Sequence, residues 1–123
     1  MISFKKKLPN FEKAEIDHEK FYHYSMDPGN ISNQNKWMAF EEIGYQVWHE
    51  EIRRYEAQDV IDQLKKCLHS APAIPGKMST YGQRYNVSVK ITGPNGKTGT
   101  LVTIWQIENN IPRLITNWLE AHR

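Results

Sequence analysis

The stretch RYNVSVKITGPNGKTGTLVTIWQI (residues 84–107) predicts the centre of the fold, a β-hairpin. Its two arms, residues 84–92 and 98–107, are rich in β-branched side chains that recur with a period of two. Between them stands GPNG (residues 93–96), in which Gly and Asn supply the positive φ angles that a twisted hairpin turn requires. The stretch therefore indicates two antiparallel strands that are neighbours in a sheet.

The side chains of this hairpin divide into two faces. If the central pair of the turn is residues 95–96, Val89 pairs with Val102; if it is residues 94–95, Val89 pairs with Thr100. The two registers differ by two residues, so both place the same side chains on each face. The face predicted to pack on helices carries Tyr85, Val87, Val89, Ile91, Val102 and Ile104. The opposite face, which we call the cationic strip, carries Arg84, Asn86, Ser88, Lys90, Leu101, Thr103 and Trp105. Cations hold phosphates and an indole stacks a base, so the cationic strip predicts a nucleic-acid surface; an ordinary solvated sheet face is the alternative.

Helices are predicted in the first half of the chain. Asp17 caps a short helix that ends at MDPGN (residues 26–30), and a second short helix runs from about residue 35 to 43. AQDVIDQLKKCLHS (residues 57–70) is the clearest helix, because its apolar residues recur at helical spacing and its basic residues come late. The stretch at residues 45–55 is open between a further helix and an exposed insertion.

The remaining segments complete an α+β prediction. Residues 70–83 are predicted to be a loop, and RLITNWL (residues 113–119) a third strand. We therefore expect N-terminal helices, at about residues 10–70, to pack on one face of a C-terminal antiparallel sheet of three or more strands, at about residues 84–119. The 123 residues are predicted to form a single domain.

Composition excludes several classes of protein. No apolar run reaches the roughly 18 residues of a membrane span, and the lysines near the N-terminus are not followed by the apolar stretch of a signal peptide. Cys67 is the only cysteine and lies on an apolar helical stripe, so we expect no disulfide and a buried thiol. No Asp, Glu or His cluster has metal-ligand spacing, so we expect no metal site and no cofactor.

Charge is distributed unevenly along the chain. Residues 1–71 hold 10 Lys and Arg against 12 Asp and Glu, whereas residues 72–123 hold 6 against 2. Residues 72–107 contain four cations and no acid. A basic surface of this kind is typical of a site for an anion such as phosphate.

Two segments carry a family resemblance. GKMSTYGQRYNVSVKITGPNGKTGTLVTIWQIENNIPRLIT (residues 76–116) resembles the C-terminal signature of DUF6883-like domains, and YSMDPGNISNQNKWMAFEEIGY (residues 24–45) resembles their upstream segment. The frequent family motif H-P-V-G-G before the lysine is N-I-S-N-Q here, and residues 46–55 look like an insertion. The matching positions include Tyr24, Pro28, Lys36, Phe40, Gly44, Tyr45, Trp105, Arg113 and Thr116.

The resemblance implies a toxin. Such domains occur alone and at the ends of bacterial polymorphic and contact-dependent growth inhibition effectors. It implies a small α+β ribonuclease related in shape to barnase, colicin D and RelE, with tRNA as the favoured substrate and elongation factor Tu as an occasional helper. It also implies a cognate immunity protein, and a secreted or cell-surface effector that delivers the domain into the cytoplasm of a target cell.

Metal-free cleavage of RNA needs a base for the 2′-OH, a cation on the phosphate and a proton donor to the leaving oxygen. The predicted base is His23, in the helix that carries the Tyr24 match. The predicted catalytic residues are His23, Lys36, Arg84, Thr103, Arg113 and Thr116. The predicted substrate-binding residues are Lys77, Tyr81, Asn86, Lys90, Asn95, Lys97 and Trp105. A module that binds nucleic acid or protein through the same strip without cleavage is the alternative function, and a purely structural domain is a third.

Overall fold

The predicted hairpin lies at the centre of a four-stranded antiparallel sheet. The computed structural model describes residues 6–122. The strands are β1 Ala73–Ser79, β2 Gly82–Thr92, β3 Thr98–Glu108 and β4 Ile111–Ala121, and they are ordered β1-β2-β3-β4 across the sheet. Helices precede the sheet in the chain and pack on one of its faces, which confirms the α+β prediction.

Within the described residues, the helical part contains two α-helices and three short turns of other helical types. The α-helices are α1 Trp37–Glu42 and α2 Glu50–Leu68, and the turns are Phe11–Lys13 (3-10), Phe21–Ser25 (π) and Ile31–Asn33 (3-10). The predicted helix after Asp17 is thus a single π-helical segment, and the predicted second helix is α1. Helix α2 begins at Glu50 rather than at residue 57, so it includes half of the stretch that the sequence left open. Within residues 6–122, no helix has the length and hydrophobicity needed to cross a membrane.

Strand β1 corrects the prediction that residues 70–83 are a loop. Pro75 and Gly76 suggested a loop, because proline cannot donate to a ladder of backbone hydrogen bonds. However, β1 is an edge strand of the sheet that residues 6–122 form, and proline is tolerated in an edge strand. The pairing with β2 is also irregular between Pro75 and Met78.

The turn between β2 and β3 has an odd number of residues, which corrects the predicted register. Gly93 N donates to Lys97 O at 2.8 Å, and Gly96 N donates to Gly93 O at 3.0 Å. Gly96 has φ 84°, as in a three-residue turn that ends in a left-handed glycine. Val89 therefore pairs with Leu101, one residue away from both predicted partners.

A shift of one residue turns every side chain of β3 to the other face. Leu101, Thr103 and Trp105 are buried against the helices, so their assignment to the exposed cationic strip was wrong. Trp105 Nε1 donates to Thr103 Oγ1 at 2.8 Å, and Thr103 Oγ1 donates to the backbone oxygen of Val87 at 2.6 Å. Both side chains are 0% exposed, so neither the hydroxyl of Thr103 nor the indole of Trp105 can meet RNA in this structure.

The other side of the sheet, which we call the open face, is not covered by the helices. Cross-strand pairs place Ser88, Val102 and Trp118 in one row, and Asn86, Ile104 and Thr116 in the next. The open face comprises Arg84, Asn86, Ser88, Lys90, Thr100, Val102, Ile104, Thr116, Trp118 and Glu120. It therefore combines the cations predicted on β2 with an indole, but the indole belongs to Trp118.

Candidate functional site

Four side chains meet at the β4 edge of the open face, and we call them the Lys36 cluster: Tyr24, Lys36, Thr116 and Trp118. Lys36 Nζ donates to the hydroxyl oxygen of Tyr24 at 2.7 Å and to Thr116 Oγ1 at 3.5 Å. The same nitrogen lies 4.6 Å from the ring centre of Tyr24 and 5.8 Å from a ring centre of Trp118. All four residues are half-buried, so the cluster is partly shielded from water yet open to a ligand.

The π-helical segment Phe21–Ser25 carries Tyr24 and is tied to its surroundings by side-chain amides. Asn33 donates to the backbone oxygens of Tyr24 at 2.7 Å and Asp27 at 2.8 Å. Asn117 Nδ2 donates to Lys20 O at 3.0 Å, which links this segment to β4. Asn33 and Asn117 are buried, so these bonds hold the backbone of Tyr24 beside the strand that carries Thr116.

Electrostatics in the cluster favour an ionised phenol. The hydrogen bond from Lys36 is the main cause that lowers the pKa of Tyr24, and a hydrogen bond from Thr116 and the charge of Lys20 act in the same direction. Burial of the phenol opposes them but does not outweigh them. Tyr24 therefore loses its proton at a lower pH than an ordinary tyrosine, which brings the phenol closer to the range useful for proton transfer.

The rest of the open face extends this site across the sheet. Asn86, Ser88 and Lys90 on β2 are exposed. Neighbouring strands are about 4.8 Å apart, so Asn86 on β2 and Thr116 on β4 are separated by roughly 10 Å. Arg84 Nε donates to Gln106 Oε1 at 3.2 Å, which fixes one end of its guanidinium on β3. The cations of β2 therefore lie close enough to Lys36 for an RNA segment of a few nucleotides to contact both.

His23, the predicted base, does not contact the Lys36 cluster. Its Nε2 lies 3.0 Å from Glu19 Oε2, and its Nδ1 lies 4.0 Å from Asp27 Oδ2. Its ring also packs at a tilt against the ring of Tyr22, with 4.4 Å between ring centres. The structure therefore gives His23 an exposed place beside two carboxylates of its own segment.

Arg113 is also separate from the cluster. Its Nε lies 3.2 Å from Glu15 Oε2 and its Nη1 lies 2.9 Å from Glu108 Oε2. The hydrogen bond from Glu108 is the main cause that raises the pKa of Arg113, and the charges of Glu108 and Glu15 add to it. The negative charges of these two carboxylates offset the positive charge of the Arg113 guanidinium, which weakens its attraction for a phosphate.

The predicted substrate-binding residues are spread over three regions. Asn86 and Lys90 lie on the open face. Lys77 and Tyr81 are exposed at the β1 edge of the sheet, which is the opposite edge from Lys36. At the hairpin tip, Lys97 is exposed.

Asn95, also at the hairpin tip, makes structural bonds. Its Nδ2 donates to Glu42 O at 3.1 Å, and its Oδ1 accepts from Lys97 N at 2.9 Å. Both ends of the amide are thus already used within the fold, and its contact with substrate stays a prediction.

Lys36 and Thr116 are both among the catalytic residues predicted from the sequence, whereas Tyr24 and Trp118 are not. Tyr24 was recognised as a family match without a chemical role. Trp118 lies two residues after Thr116, and this spacing places both side chains on one face of a strand. That alternation was the signal that could have identified Trp118.

The cluster offers an ammonium group, a phenol, a hydroxyl and an indole, which together suit a phosphate and an adjacent base. Within residues 6–122, no three His, Cys, Asp or Glu side chains are grouped so that they could hold a metal ion.

Comparisons with known proteins give a family and a fold. Residues 7–121 match the family described as "Domain of unknown function (DUF6883)". No curated protein sequence matches the chain. Among solved structures, a chain of the contact-dependent growth inhibition toxin–immunity protein complex from Klebsiella pneumoniae 342 is similar, with a TM-score of 0.59 and 14% sequence identity. The similarity covers 89% of this chain and 96% of that chain, so the two share a fold over most of their length.

Proposed function

The chain belongs to the DUF6883 family, and we propose that it is a toxic ribonuclease domain of the contact-dependent growth inhibition type. The fold that it shares with a chain of a toxin–immunity protein complex supports a role in such a toxin–immunity pair, and the family resemblance favours the toxin. The same proposal includes release from an effector at the cell surface and action in the cytoplasm of a target cell. The family resemblance favours tRNA as the substrate.

The observation that carries the ribonuclease proposal is the 2.7 Å hydrogen bond from Lys36 Nζ to the hydroxyl of Tyr24 at the edge of the open face. A phosphate placed between Lys36 and Thr116 would meet an ammonium group and a hydroxyl. An ammonium ion stabilises the charge that develops on phosphate oxygens in the transition state. The hydroxyl of Tyr24 accepts from the same ammonium group and, once ionised, serves as the base.

The proposed reaction uses only protein groups and RNA. Tyr24 takes the proton of the 2′-OH, and the 2′ oxygen forms a bond to phosphorus while the bond from phosphorus to the 5′ oxygen breaks. The 5′ oxygen leaves with a proton from the ammonium group of Lys36. The products are a 2′,3′-cyclic phosphate and a 5′-hydroxyl. The proton on Tyr24 then returns to Lys36 along their hydrogen bond, which restores both groups.

Trp118 and the cations of β2 bind the RNA on either side of this step. The half-buried indole of Trp118 lies beside Lys36, where a base that flanks the reacting phosphate can stack on it. Lys90 and Arg84 attract the neighbouring phosphates. The cognate immunity protein is proposed to cover this face with carboxylates, since it must exclude RNA from the same cations.

Cleavage of total RNA by the purified domain in the presence of a chelator tests the proposal. We expect cleavage without added metal, and loss of at least about a hundredfold in rate for Lys36→Ala and for Tyr24→Phe. Lys66→Ala is the matched control, because it removes an exposed cation from α2, away from the open face. Activity that disappears in chelator and returns with magnesium or zinc would contradict the mechanism. RNA that is bound but left intact would favour the alternative of a binding module.

A further inference from the structure

The hairpin tip, residues 93–97, lies against the C-terminal end of α1. Asn95 donates from its side-chain amide to Glu42 O at 3.1 Å and from its backbone N–H to Ile43 O at 3.4 Å. The last carbonyl groups of an α-helix have no partner within the helix. Gly44 N and Tyr45 N already donate to Glu41 O and Phe40 O, so the hairpin tip completes the C-terminal cap of α1 at the next two carbonyl groups, those of Glu42 and Ile43.

Two glycines permit this close approach. A Cβ at Gly93 would overlap the backbone oxygen of Ile43, and a Cβ at Gly44 would lie 2.7 Å from the backbone nitrogen of Asn95. Gly44 also has φ 104°, in the left-handed region that favours glycine. The two backbones thus meet in direct contact, and the tip and the end of α1 are held in one relative position.

Helix α1 depends on such external contacts. It has six residues, Trp37–Glu42, whereas isolated helices shorter than about 12 residues are marginal in water. At about 1.5 Å per residue it is only about 9 Å long. Lys36 is the N-cap of this helix, so a shift of the C-terminal end of α1 would also move Lys36 at the other end.

We propose that Asn95 is a positioning residue, which caps α1 from the hairpin tip and thereby sets where Lys36 Nζ meets the hydroxyl of Tyr24. This inference rests on the proposed function, in which that contact performs proton transfer. It gives Asn95 of the GPNG turn a role in the site without contact with RNA.

Titration of Tyr24 by NMR of isotope-labelled tyrosine rings tests the contact in the absence of RNA, and Tyr24→Phe assigns the signal. Asn95→Asp keeps an oxygen that accepts from Lys97 N but removes the amide donor to Glu42 O. Asn95→Ala removes both side-chain bonds. Pro94→Ala is the matched control on the same tip, because the side chain of Pro94 has no hydrogen-bonding group.

Both Asn95 variants are expected to raise the pKa of Tyr24 toward its ordinary value. We also expect kcat for RNA cleavage to fall about tenfold or more, with a smaller change in KM, because a small misplacement of a reacting group is costly. Pro94→Ala should change neither quantity. Salt of about 0.15 M limits the direct effect of the new aspartate charge, since the Debye length is then about 8 Å.

A folded Asn95→Ala protein in which Tyr24 titrates as in the wild type would overturn the proposal. So would a change in Asn95→Ala that Asn95→Asp does not share, because the turn bond to Lys97 would then be responsible. If Asn95→Ala does not fold, the comparison of Asn95→Asp with Pro94→Ala decides. Failure of the wild type to cleave RNA would instead contradict the proposed function, and the titration would still measure the positioning.

Discussion

The phenol of Tyr24 and the ammonium group of Lys36 share a hydrogen bond of 2.7 Å at the edge of the open face. This bond is the main cause of the lowered pKa of Tyr24, and Thr116 contributes a second hydrogen bond in the same direction. A base works best when its pKa lies near the pH at which the enzyme operates. At the residue scale, Thr116 therefore has a role that can be separated from substrate binding, because it lowers the pKa of Tyr24.

The pH dependence of RNA cleavage should report this tuning. If Tyr24 acts as the base, kcat rises with pH as the phenol ionises while Lys36 keeps its proton, and the lowered pKa of Tyr24 puts that rise below the range of an ordinary tyrosine. Thr116→Val removes a hydrogen bond that favours the phenolate, so the rise should move to higher pH. Ser88→Ala, which removes an exposed hydroxyl elsewhere on the open face, should leave it in place. A Thr116→Val profile identical to that of the wild type would exclude Tyr24 as the group that titrates.

At the scale of elements, the turn between β2 and β3 does two jobs. Its three residues, Pro94 to Gly96, determine which face of β3 is buried, and its tip caps α1 through Asn95. The two glycines that flank Pro94 and Asn95, Gly93 and Gly96, are needed for different reasons. Gly96 has φ 84° with nothing within 4 Å of a Cβ, whereas a Cβ at Gly93 would overlap Ile43 O.

Alanine at these two glycines should therefore destabilise the fold by different amounts. Gly96→Ala is expected to lower the free energy of unfolding by about 1 kcal/mol, because only the left-handed backbone is strained. Gly93→Ala is expected to cost about 3 kcal/mol or more, because α1 must move away from the tip. Urea unfolding of both variants measures the difference. Equal losses would show that α1 does not depend on the contact at Gly93.

At the scale of the whole molecule, charge separates the two sides of the sheet. The open face carries Arg84 and Lys90, with Lys36 at its edge and Glu120 as its acid. Helix α2, on the other side, exposes the acids Glu50, Glu51, Asp59 and Asp62. The exposed cations of α2, Arg54, Lys65 and Lys66, are offset by these acids, so a polyanion should approach the open face in preference to α2.

Salt dependence of RNA binding tests this polarity. Each phosphate contact that is lost should reduce the slope of log K against log salt by roughly 1. Lys90→Ala is expected to show this reduction in the inactive Lys36→Ala background, where RNA stays intact. Lys66→Ala removes an exposed cation from α2 and should leave the slope unchanged. If the two substitutions give the same slope, the open face is not the RNA surface.

Much of the fold followed from local pattern. The period of two in β2 and β3, the helical spacing of α2 and the helix near residue 40 predicted the main elements, because hydrophobic periodicity reflects which side of an element is buried. Strand β1 escaped prediction, because Pro75 and Gly76 favour a loop unless the strand lies at an edge. An edge position is a property of the sheet as a whole, which no short stretch of sequence records.

The candidate site was likewise predictable from the sequence only in part. The sequence by itself determined the α+β class and the hairpin, and it predicted Lys36 and Thr116 as site residues, since residue type and spacing are local properties. Only the tertiary structure decided that Trp105 is buried and that Trp118 lies on the open face. One extra residue in the turn exchanges the two faces of β3, and the sequence pattern permitted a turn with an even or an odd number of residues. The structure also decided that Lys36 meets Tyr24 and Thr116, residues 12 and 80 positions away. Such a contact depends on how α1 packs beside β4, and packing acts between segments that the sequence leaves far apart.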